Sequence, residues 1–270
     1  MTQGTPVATV VHVRATSLWL AAIGFFLFAL GTFVFSWFPA EGALEFTLQT
    51  LGPILIALSL LVSWHANVAR WGRGPVILFF LLVISYGVIW LPYIFSPESL
   101  GTESATQRGF YTTGIGIICG AIGVFLVMHR KEVQLEHPSD ASRPRIPASY
   151  TQLLLIGLGL LLNGVNWIWV GQEDSHVTEF SLPLIGCVLI LIAVISASKA
   201  LMLQLGRFAT IAIILAVFVY TLHYLLDALP AVMDPDWRQT IRVGGVSYAL
   251  GAVACVLAAR QSRSEDSPRS

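Results

Sequence analysis

His223 and Asp227 stand four residues apart in the apolar run LHYLLD, so on a helix their side chains share one face. A carboxylate at that spacing can hold an imidazole charged, fix its tautomer, or share a proton or a metal ion with it. A local hydrogen bond at a helix end is the plainer role. Arg242 is a further ionisable group in apolar surroundings. It can counter Asp227 or Glu179, bind an anionic solute, or reach out to lipid headgroups. Asn163 and Asn166, three apart beside Trp167, can bond between helices or touch a ligand.

Glu45 and Glu179 belong to a phrase that occurs twice. EFTLQTLGPILIAL at 45 to 58 and EFSLPLIGCVLILI at 179 to 192 share Glu-Phe and, seven residues after the Glu, a Gly. Each Glu begins a predicted helix, where the positive end of the dipole favours a carboxylate. Further along, Gly52-Pro53 and Pro183 with Gly186 predict interruptions, because proline removes a backbone donor. Breaks at related places in two halves mark binding sites in transporters. The expected substrate-binding set is therefore Glu45, Glu179, His223, Asp227 and Arg242, with Gly52, Pro53, Pro183 and Gly186 as the breaks beside it. No P-loop, HExxH, nucleophile-elbow serine or in-register histidine pair occurs, so no catalytic residue, metal ligand or cofactor is assigned. Cys119, Cys187 and Cys255 lie in apolar stretches without CxxC spacing and are expected as buried free thiols.

These groups must be positioned by membrane helices. The chain has 270 residues, 56% hydrophobic and only 11% charged, with a mean hydropathy of +0.76. A soluble domain would carry roughly a quarter of its residues charged. Eight apolar stretches, at 17 to 38, 44 to 65, 74 to 95, 109 to 128, 150 to 170, 179 to 202, 208 to 229 and 240 to 259, are each long enough to cross about 30 Å of hydrocarbon as helix. Apolar residues spread round each stretch without strict alternation, which selects an all-α fold over a β-barrel. Lys and Arg collect on one side if both ends are cytoplasmic, leaving only Arg108, Arg238 and Arg242 outside. Trp37, Trp90, Trp167, Trp169 and Trp237 then fall near the outer interface as anchors.

The two phrases also suggest a duplication. At a spacing of 134, Gly72-Arg73 matches Gly206-Arg207 and Tyr86 matches Tyr220; at 133, Gly24 matches Gly157 and Gly31 matches Gly164; at 131, Gly114 matches Gly245 and Gly120-Ala121 matches Gly251-Ala252. Two parallel four-helix repeats follow, at 17 to 128 and 150 to 260. Residues 1 to 16 form a cytoplasmic segment, 129 to 149 a cytoplasmic linker and 261 to 270 a disordered tail. Small residues in the fourth span of each copy predict close packing of those two helices, or a homodimer seam.

Three functions fit a protein of this kind in a bacterial plasma membrane, an origin that thirteen Arg against two Lys favours. The first is a carrier or channel for a small solute or cation, with its site near the outer face between the repeats. The second is a non-catalytic accessory, assembly or sensory subunit of an envelope complex, with a membrane-protein partner. The third is an enzyme, metal-dependent or lipid-modifying, using His223, Asp227 and Glu179. The bilayer is a partner in all three, and the lack of a basic patch excludes nucleic acid.

Overall fold

The computed structural model describes residues 15–37, 43–96, 103–136, 148–170, 176–228 and 237–266. Among these the ordered elements are helices: α1 Ala15–Trp37, α2 Ala43–Val62, α3 Trp64–Trp71, α4 Arg73–Val88, α5 Leu91–Phe95, α6 Glu103–Glu136, α7 Tyr150–Val170, α8 His176–Ser196, α9 Ser198–Leu205, α10 Arg207–Ala228 and α11 Trp237–Asp266. With no water in hydrocarbon to receive backbone groups, the helix satisfies them within one segment. Seven helical segments are long and apolar enough to cross a membrane, and the bent pair α8 and α9, turned by 64°, makes an eighth if taken as one span. The outward faces carry large bare side chains such as Phe26, Ile115 and Phe208, while Ala, Ser and Thr fill much of the interior. Such an inversion of the soluble pattern belongs to a multi-pass membrane protein.

Each long helix packs against the next in the order α1, α2, α4, α6, α7, α8, α10, α11, and α11 returns to α1. The result is a closed ring. Two of its seams are backbone to backbone. A Cβ built on Gly24 of α1 would lie 2.6 Å from the Gly52 carbonyl of α2, and one on Gly159 of α7 would lie 2.5 Å from that of Gly186 of α8. Only glycine permits such approaches, and close approach is what holds helices together when lipid offers no hydrophobic drive. Between α6 and α7, Gly114 and Gly164 do the same with slightly more room.

The structure departs from the sequence reading at five places. Both α2 and α8 continue as helix through their prolines; the lost donor affects one bond, and the packed neighbours hold the helix in line. The breaks come later, at Ser63 and Ala197, each followed by an eight-residue helix that ends on Gly72 or Gly206. Those glycines have φ of 96° and 84° with ψ near 160°, a region that is essentially glycine's alone. Gly159, not Gly157, makes the seam equivalent to that of Gly24, because the Cβ direction of Gly157 meets Phe125 of α6. The two seam glycines are 135 residues apart, where the sequence reading matched Gly24 to Gly157 at 133. The two small-residue helices expected to pack together, α6 and α11, do not pair: α6 lies between α4 and α7, and α11 between α10 and α1. Finally, α6 runs to Glu136 and α11 to Asp266, into stretches expected as linker and disordered tail.

Candidate functional site

At the centre of the ring is a cavity of about 580 Å³, and all eight long helices contribute to its wall. It begins near mid-height, at Phe28, Pro53, Tyr86, Asn163, Cys187 and Tyr220, and runs toward Leu18, Leu205 and Ala258 at the end where Gly72 and Gly206 lie. Its size falls within the range of about 300–1,000 Å³ typical of small-molecule sites. Apart from Asn163, Ser247, two Cys and three Tyr, the wall is hydrocarbon, and none of the described residues that line it is charged.

Positions 134 apart recur on the wall: Pro53 and Cys187, Ile56 and Ile190, Leu82 and Ala216, Val83 and Val217, Tyr86 and Tyr220. At a spacing of 135, that of the seam glycines, Phe25 with Leu160 and Phe28 with Asn163 join them. Opposite sides of the ring thus present related residues to one space.

The polar groups gather at mid-height. Tyr220 and Tyr224, one turn apart on α10, bring their hydroxyls to 3.4 Å with the rings edge to face. Tyr86 from α4 and Tyr248 from α11 line the same cavity as Tyr220, and the rings of Tyr220 and Tyr248 lie 6.1 Å apart between centroids. Tyr248 in turn packs its ring on Phe28 of α1, at 4.6 Å between centroids. Ser247 ties α11 to α10 by donating to the Ala216 carbonyl at 2.7 Å. Asn163 is 6% exposed; it donates to the Gly159 carbonyl at 2.8 Å and accepts from the Cys187 thiol at 3.9 Å. One bond is within its own helix and the other reaches α8, so Asn163 supports the Gly159–Gly186 seam while facing the cavity.

Of the expected site residues whose side chains are described, His223 reaches this cluster. Its imidazole stacks on Tyr220 at 6.0 Å and meets Tyr224 edge on at 5.1 Å. Arg242 instead sits over the ring of Trp37, the last residue of α1, at 4.8 Å, a cation–π contact at the opposite end from the cavity. Glu45 is buried, 1% exposed, in the first turn of α2. Beside it Phe46 stacks on Trp90 and packs at a tilt against Tyr93, and Phe35 of α1 joins the cluster. The side chains of Glu179 and Asp227 lie outside the described residues. Gly52 and Gly186 are seam residues, while Pro53 lines the cavity and Pro183 is fully buried. Among the described residues no three His, Cys, Asp or Glu gather as metal ligands would.

No family model, curated protein or solved structure matches this chain. The site is therefore read from its own residues. Sequence reasoning missed Tyr224 and Tyr248 altogether. Tyr220 and Tyr224 at helical spacing, with Tyr86 matched to Tyr220, were the available signal.

Proposed function

We propose that the protein is a non-catalytic membrane carrier that takes a small, neutral, largely apolar molecule into the cavity at the centre of its helix ring. The observation that carries this reading is the cavity itself, about 580 Å³ bounded by every long helix and lined by hydrocarbon below the tyrosine level. Apolar walls around a space of that size gain dispersion contacts on all sides when an apolar molecule lies between them. A bare cation in such surroundings would lose its hydration without a counter-charge. The wall therefore favours a neutral solute over the cation that the acidic residues favoured.

The same reading takes the ring as a duplicated four-span unit with both chain ends at the cytoplasmic face of a bacterial plasma membrane. Its support is the pairing of wall positions at 134, the matched helices α3 and α9, and the matched glycines after them. The bias of Lys and Arg supports the orientation. The cavity then runs from mid-membrane toward the cytoplasm, with the tyrosines as its outer floor, as in a carrier facing inward.

The test is solvent extraction of the purified protein followed by mass spectrometry, with Ala216→Trp, which fills the cavity, alongside. A defined small molecule released by the wild type and missing from the variant supports the proposal. Bulk lipid alone from both removes it.

A further inference from the structure

The tyrosine cluster carries more hydrogen-bond donors than it can use. A phenol has one proton to give and two lone pairs to receive with. Among the described residues one hydrogen bond joins these hydroxyls, between Tyr220 and Tyr224 at 3.4 Å. It uses a single phenolic proton, while Tyr86 and Tyr248 bring two more O–H groups to the cavity wall. The cluster therefore holds more O–H donors than hydrogen bonds among them. Asn163 repeats the pattern. One of its amide hydrogens goes to the Gly159 carbonyl and its oxygen receives the Cys187 thiol, while the second hydrogen has no partner among the described residues. Tyr86, Tyr220, Tyr248 and Asn163 all line the cavity, at the same level.

A buried donor without an acceptor is costly, and carbon walls offer none. We infer that the cavity is built for a molecule whose apolar body lies along the hydrocarbon wall and whose carbonyl oxygen accepts these spare protons at the tyrosine level: a neutral ketone, quinone or ester. A carboxylic acid would need a cationic partner that the wall lacks, and a plain hydrocarbon would leave the donors unmet. This inference rests on the carrier reading and specifies the ligand it would take.

The experiment uses two photoreactive probes of equal length on the full chain in nanodiscs: a diazirine-bearing long-chain methyl ketone and the matching alkane. Labelled peptides are mapped by mass spectrometry against probe concentration. The ketone is expected to label cavity-lining peptides at about one tenth of the concentration the alkane needs, the effect of about one buried hydrogen bond. Asn163→Leu should weaken ketone labelling several-fold. Replacing Tyr86, Tyr220, Tyr224 and Tyr248 together by Phe should abolish the preference for the ketone. Alkane labelling at the same peptides, unchanged in both variants, shows that the ring still folds. Equal labelling by ketone and alkane in the wild type overturns the carbonyl inference and leaves the carrier reading standing. If neither probe labels the cavity, both fall.

Discussion

Tyr86 and Tyr220, 134 residues apart in the chain, line the same cavity at the middle of the ring. Their helices, α4 and α10, are not neighbours in the ring: α4 packs between α2 and α6, α10 between α8 and α11. The pair therefore faces the cavity from two separate parts of the ring.

The two glycine seams should be intolerant of a single methyl group. Gly24→Ala and Gly186→Ala place a carbon against a backbone carbonyl that a packed helix cannot withdraw, an overpacking worth about 1–3 kcal/mol each. Thermal unfolding in detergent should show both destabilised. Gly109→Ala, with nothing within 4 Å of the new carbon, should leave the unfolding temperature where it was or raise it slightly.

Gly72 and Gly206 should accept no other residue. At φ near 90° and ψ near 160° a side chain costs on the order of 1–3 kcal/mol, and Asn, which eases a left-handed turn, gives no relief in this region. A side chain also lies over each glycine, Arg130 of α6 over Gly72 and Gln261 of α11 over Gly206. Arg130 further donates to the Ala69 carbonyl at 3.0 Å. Gly72→Ala and Gly72→Asn should lower stability alike, and Arg130→Ala in the same chain should recover only the steric part.

Arg242 and Trp37 should be coupled. In a double-mutant cycle of Arg242→Gln and Trp37→Leu, read by thermal unfolding, the interaction should come out at about 0.5–1 kcal/mol, the scale of an exposed cation–π contact. Strict additivity would show that the two residues act independently. Neither change should alter what the cavity holds.

Glu45→Gln should lower stability by about 1 kcal/mol, through loss of a carboxylate at the start of α2. It should leave cavity occupancy unchanged. An emptied cavity in this variant would return Glu45 to the binding site.

Much of the scaffold was legible in the sequence. Runs of about twenty apolar residues marked the spans, and the recurrence of Glu-Phe with Gly52 and Gly186 pointed to the helices that form the tight seams. The ring order and the cavity were not legible. Leu, Ile and Val serve equally against lipid, against a neighbouring helix and along the cavity wall, so periodicity alone does not say which face of α10 turns inward. The prolines misled because a single missing donor looks like a break on paper, whereas a packed bundle carries the helix through it. The tyrosine cluster escaped notice for a related reason. Charged groups near a helix end attract attention as costly, yet Arg242 is held by an aromatic ring and Glu45 is enclosed in the first turn of α2. The residues that face the empty space are neutral phenols and an amide, which no motif announces.

The most direct test is native mass spectrometry of the intact protein released from the membranes in which it was made. The wild type is expected to carry one small neutral molecule per chain and the Ala216→Trp protein, equally folded, to carry none. A wild-type spectrum at the bare protein mass, or the same adduct on both proteins, would contradict it.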